Sequence, residues 1–597
     1  MKMKLSNYVA QKVSELGVRH VFMVTGGGSM HLNQSLGQYQ ALECIFNHHE
    51  QAAAMAAESY YRLTNRIALV NVTTGPGGTN AITGIYGAWT DSIGMVVISG
   101  QVKYETTVHS TGLPLRQLGD QEIDIERMVA PITKYSIMVT DPETIRYHLE
   151  KAFYLAVTGR PGPCWIDIPL DIQGANIEID NLLGFDATEY DVPWETSDLV
   201  RVSDEILEKL QQAKRPVVFA GSGVRLSSKH DDFIRLVDRL ELPVVTGWNA
   251  HDVIWNDHPC YIGRPGSVGD RAGNFTVQNS DLLLILGSRL NIRQVSYNWK
   301  SFATQAYKIW IDIDEQELKK STVEPHMPIH ADLKSLLPIL IARKYMGATP
   351  AHREWLNWCK DRQKSYPVVL PEYWVNEEIN PYCFMDTLFR ELDNEAIVVT
   401  SNGSACVISF QVAELKNKQR LWTNSGCASM GYELPAAIGA CKGSDGRSIV
   451  CLAGDGSIMM NLQELQVIAG NELPIKVFIL NNNGYNSISQ THKNFFGGIE
   501  VGASPESGLT FPDFEKISNA FSIPYRKCSG HDEMSKTIRS TLATEGPVIC
   551  EVMLDKDQVF APKLSSKQMP DGTIVSPPLE DMSPFLAEDE LRRNRIT

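Results

Sequence analysis

No Cys-x-x-Cys pair occurs in the 597 residues, although the chain holds 11 cysteines. An odd number of scattered thiols, among them Cys44, Cys164, Cys359 and Cys550, excludes a disulfide framework and argues against a zinc site. They read as reduced, buried, space-filling residues of a cytosolic protein. Basic excess is missing as well: 55 Lys and Arg stand against 70 Asp and Glu, a net charge of −15. Gripping nucleic acid or an anionic membrane surface needs the opposite field, so neither partner is expected. Anionic small ligands stay open, because a pocket can be locally positive. The apolar stretch Ile93–Ile98 is far too short to span a bilayer. Residues Met1 to Gln11 lack the charged-then-apolar layout of a secretion signal and read as an amphipathic helix. A cytoplasmic protein is the expectation. No short-period repeat is present.

What is present is an ordinary globular composition, 43% hydrophobic and 21% charged. The length suggests about three to four domains. Short apolar runs alternate with helical patterns in three blocks. The first holds Val21–Val24, Ile67–Val72, Met95–Ser99 and Cys164–Ile168. The second holds Pro216–Ala220, Pro243–Thr246, Leu282–Leu286 and Ile309–Ile313. The third holds Ile397–Thr400, Ser448–Leu452, Lys476–Leu480 and Pro547–Val552. This alternation predicts an α/β protein of three doubly wound parallel-sheet domains, over residues 1–180, 195–343 and 370–560. The polar stretches Gly174–Ser197, with Pro193, and Tyr345–Pro381 read as linkers. Residues 561–597, rich in Pro, Asp and Ser, read as a loose tail or a lid over an active site. The first and third blocks share a pattern without sharing sequence.

The chemistry is carried by the third block. Ile449–Ala453 is strand-like and runs into Gly454-Asp455-Gly456-Ser457, with a helix expected from Asn461 to Ala469. A second strand, Val477–Leu480, ends at Asn481-Asn482-Asn483-Gly484. Parallel strands that end at one sheet edge bind ligands outside their carboxyl ends. Glycines let backbone N–H groups approach a phosphate, and a helix N-terminus favours its charge. Asp455 and Asn482, with a backbone carbonyl near Gly484, supply hard oxygens. Two diphosphate oxygens and a water would complete the six that magnesium prefers.

Gly-Asp-Gly followed about two dozen residues later by Asn-Asn resembles the thiamine-diphosphate signature. The chain is similar, over nearly its whole length, to acetolactate-synthase-type thiamine-diphosphate enzymes. More narrowly it resembles carboligases of branched-chain nucleotide-sugar biosynthesis, which attach a pyruvate-derived two-carbon unit to a nucleotide-linked ketosugar. The resemblance implies three domains: pyrimidine-binding, central Rossmann-like and diphosphate-binding. It makes Glu50, in Asn47-His48-His49-Glu50-Gln51, the carboxylate that hydrogen-bonds N1′ of the aminopyrimidine, so that the cofactor's own imino nitrogen removes the thiazolium C2 proton. It makes Gln121 an active-site residue. Gly26 and Gly27, Thr74 and Gly75, Gly403 and Ser404, Ala428, Met430 and Tyr485 come into contact with the cofactor. Met430 props it into its bent shape. Magnesium falls to Asp455, Asn482 and Gly484. In the second block, Gly221 and Gly223 with Gly287-Ser288-Arg289-Leu290-Asn291-Ile292-Arg293 match a flavin-binding stretch. FAD is therefore implied, with Arg289 and Arg293 on its diphosphate and Asp312 and Asp332 on its sugar or adenine.

The chain also departs from acetolactate synthase. Where the synthases carry a Lys after Asp-x-Pro, this chain has Asp167-Ile168-Pro169-Leu170. The Trp that narrows their acceptor pocket aligns with Thr491, and an aromatic beside the active-site Gln aligns with Asp120. A wider, wetter pocket suits a hydroxylated acceptor. The expected activity is decarboxylation of pyruvate and transfer of the two-carbon unit to a carbonyl acceptor such as a nucleotide-linked ketosugar. The alternatives are an acetolactate synthase using pyruvate or 2-ketobutyrate as acceptor, a pyruvate decarboxylase or oxidase, or a non-catalytic cofactor-binding paralogue. The resemblance further implies active sites at a homodimer interface, in a dimer or tetramer.

Overall fold

A computed structural model of the protein describes residues 1–190, 196–568, 571 and 573–596. Pro193 of the first expected linker lies outside the described residues. Each apolar block folds into a six-stranded, wholly parallel sheet. The first comprises β1 (His20–Met23), β2 (Glu43–Phe46), β3 (Leu69–Val72), β4 (Met95–Gln101), β5 (Tyr135–Met138) and β6 (Pro163–Pro169), in the spatial order β2-β1-β3-β4-β6-β5. The second comprises β7 (Pro216–Ala220), β8 (Val244–Thr246), β9 (Tyr261–Gly263), β10 (Leu282–Leu286), β11 (Tyr307–Asp312) and β12 (Met327–His330), in the order β9-β8-β7-β10-β11-β12. The third comprises β13 (Ile397–Thr400), β14 (Arg420–Trp422), β15 (Ile449–Gly454), β16 (Ile475–Asn481), β17 (Tyr525–Cys528) and β18 (Val548–Met553), in the order β14-β13-β15-β16-β18-β17.

Numbered within each domain, the first and third sheets share the order 2-1-3-4-6-5, while the middle sheet has the Rossmann order 3-2-1-4-5-6. The outer domains thus share a topology that their sequences do not show. Inner strands are buried on both faces because helices cover them, which is why they read as unbroken apolar runs: every residue of Leu282–Leu286 is buried.

The outer domains also share one continuous hydrophobic core. Its seam is helix α1 (Glu50–Thr64) packed on helix α2 (Glu433–Gly443). The alanine-rich face of α1 lets the two backbones approach closely. A Cβ on Gly439 would sit 1.9 Å from the Ala56 carbonyl oxygen. Ser59 Oγ donates to the Ala436 carbonyl at 2.7 Å, and Trp422 Nε1 donates to Ser59 Oγ at 3.2 Å.

Three stretches expected to be irregular have structure. Residues 345–381 contain a helix, Pro350–Ser365, started by a capping box between Thr349 and His352 and anchored by the buried Trp355 and Cys359. Asn176–Glu178 pairs antiparallel with Lys2–Lys4, just ahead of the amphipathic helix Leu5–Glu15. Beyond Met553 the described tail crosses the middle domain. Leu564 N donates to the Ser267 carbonyl (2.7 Å), and Asn274 and Asn279 side chains donate to the carbonyls of Leu579 and Asn594 (2.9 Å each). Among the described residues no helix is long and apolar enough to cross a membrane.

Gly439→Ala should lower stability by about 1–3 kcal/mol, the usual cost of overpacking. Thermal unfolding checks this; an unchanged midpoint would mean that the two helices do not depend on their close approach.

Candidate active site

In the third domain the strand order reverses between β13 and β15, and a cavity of about 430 Å³ opens at their carboxyl ends. Strand β13 leads into a helix, Gly403–Val412, whose first residues Gly403 and Ser404 line the cavity. Its free N–H groups and dipole face that space. This is not the helix expected to do so. After Ser457 the chain makes a single 3-10 turn, Ile458–Met460, and the next helix starts only at Glu464. The delay comes from Asn461, whose Nδ2 donates to the Gly431 carbonyl (2.8 Å) and to Gln51 Oε1 of the first domain (3.0 Å).

Asp455 is buried at the end of β15, and its carboxylate is held by backbone donors. Oδ1 accepts from Gly456 N at 2.7 Å, and Oδ2 from Asn482 N at 3.2 Å and Gly484 N at 3.1 Å. Burial still pushes its pKa up to about 6. The Asn482 side-chain oxygen is buried without a hydrogen-bond partner among the described residues. A buried acceptor left open beside a buried carboxylate is what a hard cation would satisfy. No group of three His, Cys, Asp or Glu marks a metal site among the described residues. A cation here would therefore rely on the single Asp455 carboxylate together with amide, backbone and phosphate oxygens. Close approach explains the glycines: a Cβ on Gly456 would meet the Tyr485 ring at 2.1 Å, and one on Gly484 the Ala503 carbonyl at 2.5 Å.

Ser425, Ala428, Met430, Gly454, Ser457 and Tyr485 line the same cavity. Asn402 Nδ2 donates to the Ala428 carbonyl at 2.8 Å, tying turn 425–432 to the strand end at β13. Ser457 Oγ donates to Glu433 Oε2 at 2.9 Å and accepts from Gly431 N at 2.9 Å. Glu433 is wholly buried, its pKa pushed up to about 7 by burial, and its other oxygen has no partner among the described residues. Sequence reasoning missed Glu433, because a glutamate beginning an apolar helix carries no signal of its own.

The first domain gathers its expected residues at its own carboxyl edge, where its strand order reverses. A Cβ on Gly75 would lie 2.3 Å from the Gln121 carbonyl, and one on Gly77 would lie 3.7 Å from Glu50 Oε1. Gly26 packs on Thr73, and Gly28 N donates to Thr73 Oγ1 at 3.1 Å. Gln121 is exposed with φ 63°, at the tip of a loop that the Glu122 carboxylate ties to Leu118 N and Gly119 N. Thr74 Oγ1 donates to Gln101 Oε1 (2.5 Å), whose amide donates to Asp167 Oδ2 (3.0 Å). Glu50 starts α1, is nearly buried, and accepts from Asn80 Nδ2 at 3.0 Å. None of these first-domain residues lines the 430 Å³ cavity. Within one chain the two halves of the expected site stay apart.

In the middle domain a second cavity, about 410 Å³, opens where β7 and β10 diverge. Gly221, Gly223, Arg289, Asp312 and Asp332 line it together, as expected of a nucleotide site. Burial pushes Asp312 up to about 6. Asp332 caps helix Leu333–Ala342 by accepting from Lys334 N. Arg293 is elsewhere: it lines the third domain's cavity with its guanidinium 5.0 Å from the Trp248 ring. The short helix Ile292–Val295 turns it away from Arg289. Thr491 lies exposed on helix Asn486–Phe495, one turn beyond Ser487 and Ile488 at the cavity. Asp120 is also exposed.

Two like sheets with glycine-rich carboxyl edges, flanking a Rossmann-type domain, define a class of enzyme that holds a diphosphate-bearing cofactor. Comparison with known proteins names it. The thiamine pyrophosphate enzyme N-terminal TPP binding domain matches residues 3–128, the central domain residues 203–340, and the C-terminal TPP binding domain residues 401–552. The chain is 30% identical over 560 residues to the acetolactate synthase large subunit of Lactococcus lactis, covering 94% of each. It is 30% identical over 578 residues to the chloroplastic acetolactate synthase 1 of Zea mays, covering 94% of this chain and 87% of that one. To the acetolactate synthase isozyme 1 large subunit of Escherichia coli it is 29% identical over 567 residues, 93% of this chain and 95% of the other. The chain belongs to the thiamine pyrophosphate enzyme family.

Glu464 gives a pH test of the segment before Glu50. Its carboxylate accepts from Asn47 Nδ2 and His48 N, both at 2.9 Å, and burial pushes its pKa from 4.5 up to about 7. The folded protein therefore binds a proton more tightly than the unfolded chain, so this contribution to stability is full below about pH 4.5 and is lost as pH rises through about 7. Glu464→Gln, which cannot ionise, should flatten that slope by on the order of 1–3 kcal/mol. Melting temperatures of both proteins between pH 5 and 8 measure it, and parallel curves would exclude Glu464 as the source.

Proposed function

We propose that the protein is a thiamine-diphosphate- and magnesium-dependent carboligase that takes a two-carbon unit from pyruvate and transfers it to a carbonyl acceptor, a nucleotide-linked ketosugar. The observation that carries the cofactor reading is the buried Asp455 carboxylate beside the open Asn482 oxygen at the strand-order reversal. Bound there, thiamine diphosphate supplies a thiazolium carbon that adds to a 2-keto acid and takes up the electron pair released with carbon dioxide.

The chain's own residues position and charge that site. Asp455, Asn482 and the Gly484 carbonyl hold magnesium, and the N–H groups of Gly403 and Ser404 face the diphosphate. Met430 and the turn around Ala428 set the cofactor's bend, and Tyr485 walls the diphosphate pocket. Glu50 holds and returns a proton at N1′ of the aminopyrimidine. Among the described residues Arg293 is the one cation lining the cavity, and it faces a substrate anion there rather than a flavin diphosphate. Gln121 closes the substrate side from its loop tip. The middle cavity holds FAD, with Arg289 at its diphosphate and Asp312 and Asp332 at its sugar or adenine. Glu50 is absent from the cavity of its own chain, so the first domain of a second copy completes each site, giving a dimer or a dimer of dimers.

The acceptor reading rests on the polar residues that stand where acetolactate synthases carry aromatic ones, Thr491 and Asp120, both solvent-exposed. The similarity to acetolactate synthases favours a 2-keto acid acceptor as the second reading. Pyruvate incubated with 2-keto acids and with nucleotide-linked ketosugars, followed by mass analysis of the ligated product, separates the two.

Glu50→Gln should leave thiamine diphosphate bound but slow hydrogen–deuterium exchange at its C2 by at least about a hundredfold, within the usual range for general acid–base groups. Exchange at the wild-type rate would remove Glu50 from this role. Thr491→Trp should cut ligation to the ketosugar about thirtyfold, equivalent to about 2 kcal/mol of acceptor-side binding. Carbon dioxide release from pyruvate should persist; an equal fall in both would place Thr491 outside the acceptor site.

A further inference from the structure

We propose that Asp91 is a positioning residue, which sets the cofactor-binding turn 425–432 according to whether the middle domain's nucleotide cavity is filled. The proposal rests on the reading of that cavity as a flavin-nucleotide site. Asp91 follows helix Pro76–Thr90, and its buried carboxylate is where all three domains meet. From the first domain, Arg62 Nη2 donates to Asp91 Oδ2 at 2.6 Å and also pairs with Glu58. From the third, Gly426 N donates to Asp91 Oδ1 at 2.9 Å, and Tyr432 OH donates to Glu58 Oε2 at 2.5 Å. Segment 426–432 is thereby anchored at both ends on one carboxylate pair bridged by Arg62. From the middle domain, Arg289 Nη2 lies 3.9 Å from the same Asp91 Oδ1 that Gly426 uses.

The two cavities share a wall. Asp91 and Ser425 line the nucleotide cavity, and Ser425 and Trp248 line both it and the cofactor cavity. At 3.9 Å the Arg289 guanidinium draws on the charge of the same Asp91 Oδ1 that accepts from Gly426 N, and so weakens it as an acceptor for the turn. A diphosphate there draws the guanidinium to itself and leaves that oxygen to the turn. The turn approaches this carboxylate so closely that only glycine fits: a Cβ on Gly426 would lie 2.5 Å from Asp91 Oδ1. Nucleotide binding therefore orders the turn that holds thiamine diphosphate, and linkage makes the effect reciprocal.

The test uses the full chain stripped of cofactors. FAD binding is followed by flavin fluorescence. Thiamine diphosphate with magnesium is then titrated by tryptophan fluorescence, with and without saturating FAD. FAD should tighten thiamine diphosphate binding about tenfold, within the usual range of coupling between sites. In Asp91→Asn, FAD should still bind while that tightening shrinks to within about twofold, because the neutral amide no longer draws Arg289. Gly426→Ala, altered on the other side of the same contact, should also lose the tightening, and it decides the matter if Asp91→Asn does not fold. Bound FAD that leaves the wild-type titration unchanged overturns the coupling alone, as does a full tenfold effect in Asp91→Asn or in Gly426→Ala. Failure of FAD to bind at all overturns the nucleotide reading of the cavity and the coupling with it.

Discussion

The contact between helices Glu50–Thr64 and Glu433–Gly443 is the constraint from which the rest of the architecture follows. It fuses two separate sheets into one apolar core, and it does so through small residues: the alanines of one helix and Gly439 of the other. Side chains of ordinary size would hold the backbones apart. Because the same helix begins with Glu50, the packing that stabilises the molecule also fixes that carboxylate relative to the third domain. The seam leaves Glu50 outside the third-domain cavity of its own chain.

Charge is placed by the same economy of burial. Asp455 and Glu433 lie near the third-domain cavity, Asp312 lines the middle-domain cavity, and Glu464 holds the loop that leads to Glu50. Burial raises the pKa of each. Their hydrogen bonds come chiefly from backbone N–H groups or neutral side chains, not from lysine or arginine partners. Such carboxylates hold loops in one geometry while keeping charge available to a ligand. Where arginine does enter, Arg62 bridges Asp91 and Glu58 within the first domain and Arg289 approaches Asp91 from the middle domain.

Much of the fold was legible in the sequence because inner strands of covered parallel sheets must be apolar throughout. Most strands at the sheet edges were not, the edge strand Glu43–Phe46 being the exception. Tyr135–Met138, Tyr261–Gly263, Met327–His330, Arg420–Trp422 and Tyr525–Cys528 were all missed, and each is the outermost strand of its sheet. An edge strand is short and partly solvated, so it carries no apolar run. The capped helix Pro350–Ser365 was lost among flanking prolines for a similar reason. Its polar face meets water, while Trp355 and Cys359, with Leu356 and Trp358 packed beside them, bind it to the core.

The sequence by itself determined which residues sit on strand ends and turns. Gly454 to Ser457, Asn481 to Gly484, Gly26 to Gly28 and Gly221 to Gly223 are local patterns whose backbone needs can be read residue by residue. Only the tertiary structure decided which of them meet. Arg289 and Arg293, four positions apart, part into different cavities because Arg293 sits in the short helix Ile292–Val295 and Arg289 on the loop before it. The helix N-terminus offered to the diphosphate belongs to Gly403–Val412, not to the segment after Ser457, because Asn461 is held by another domain. Glu433 gained its importance from burial, and Glu464 and Asp91 from burial and from partners hundreds of residues away. The physical reason is the same in each case: local sequence sets backbone conformation, whereas burial and contact between distant segments exist only once the domains have packed.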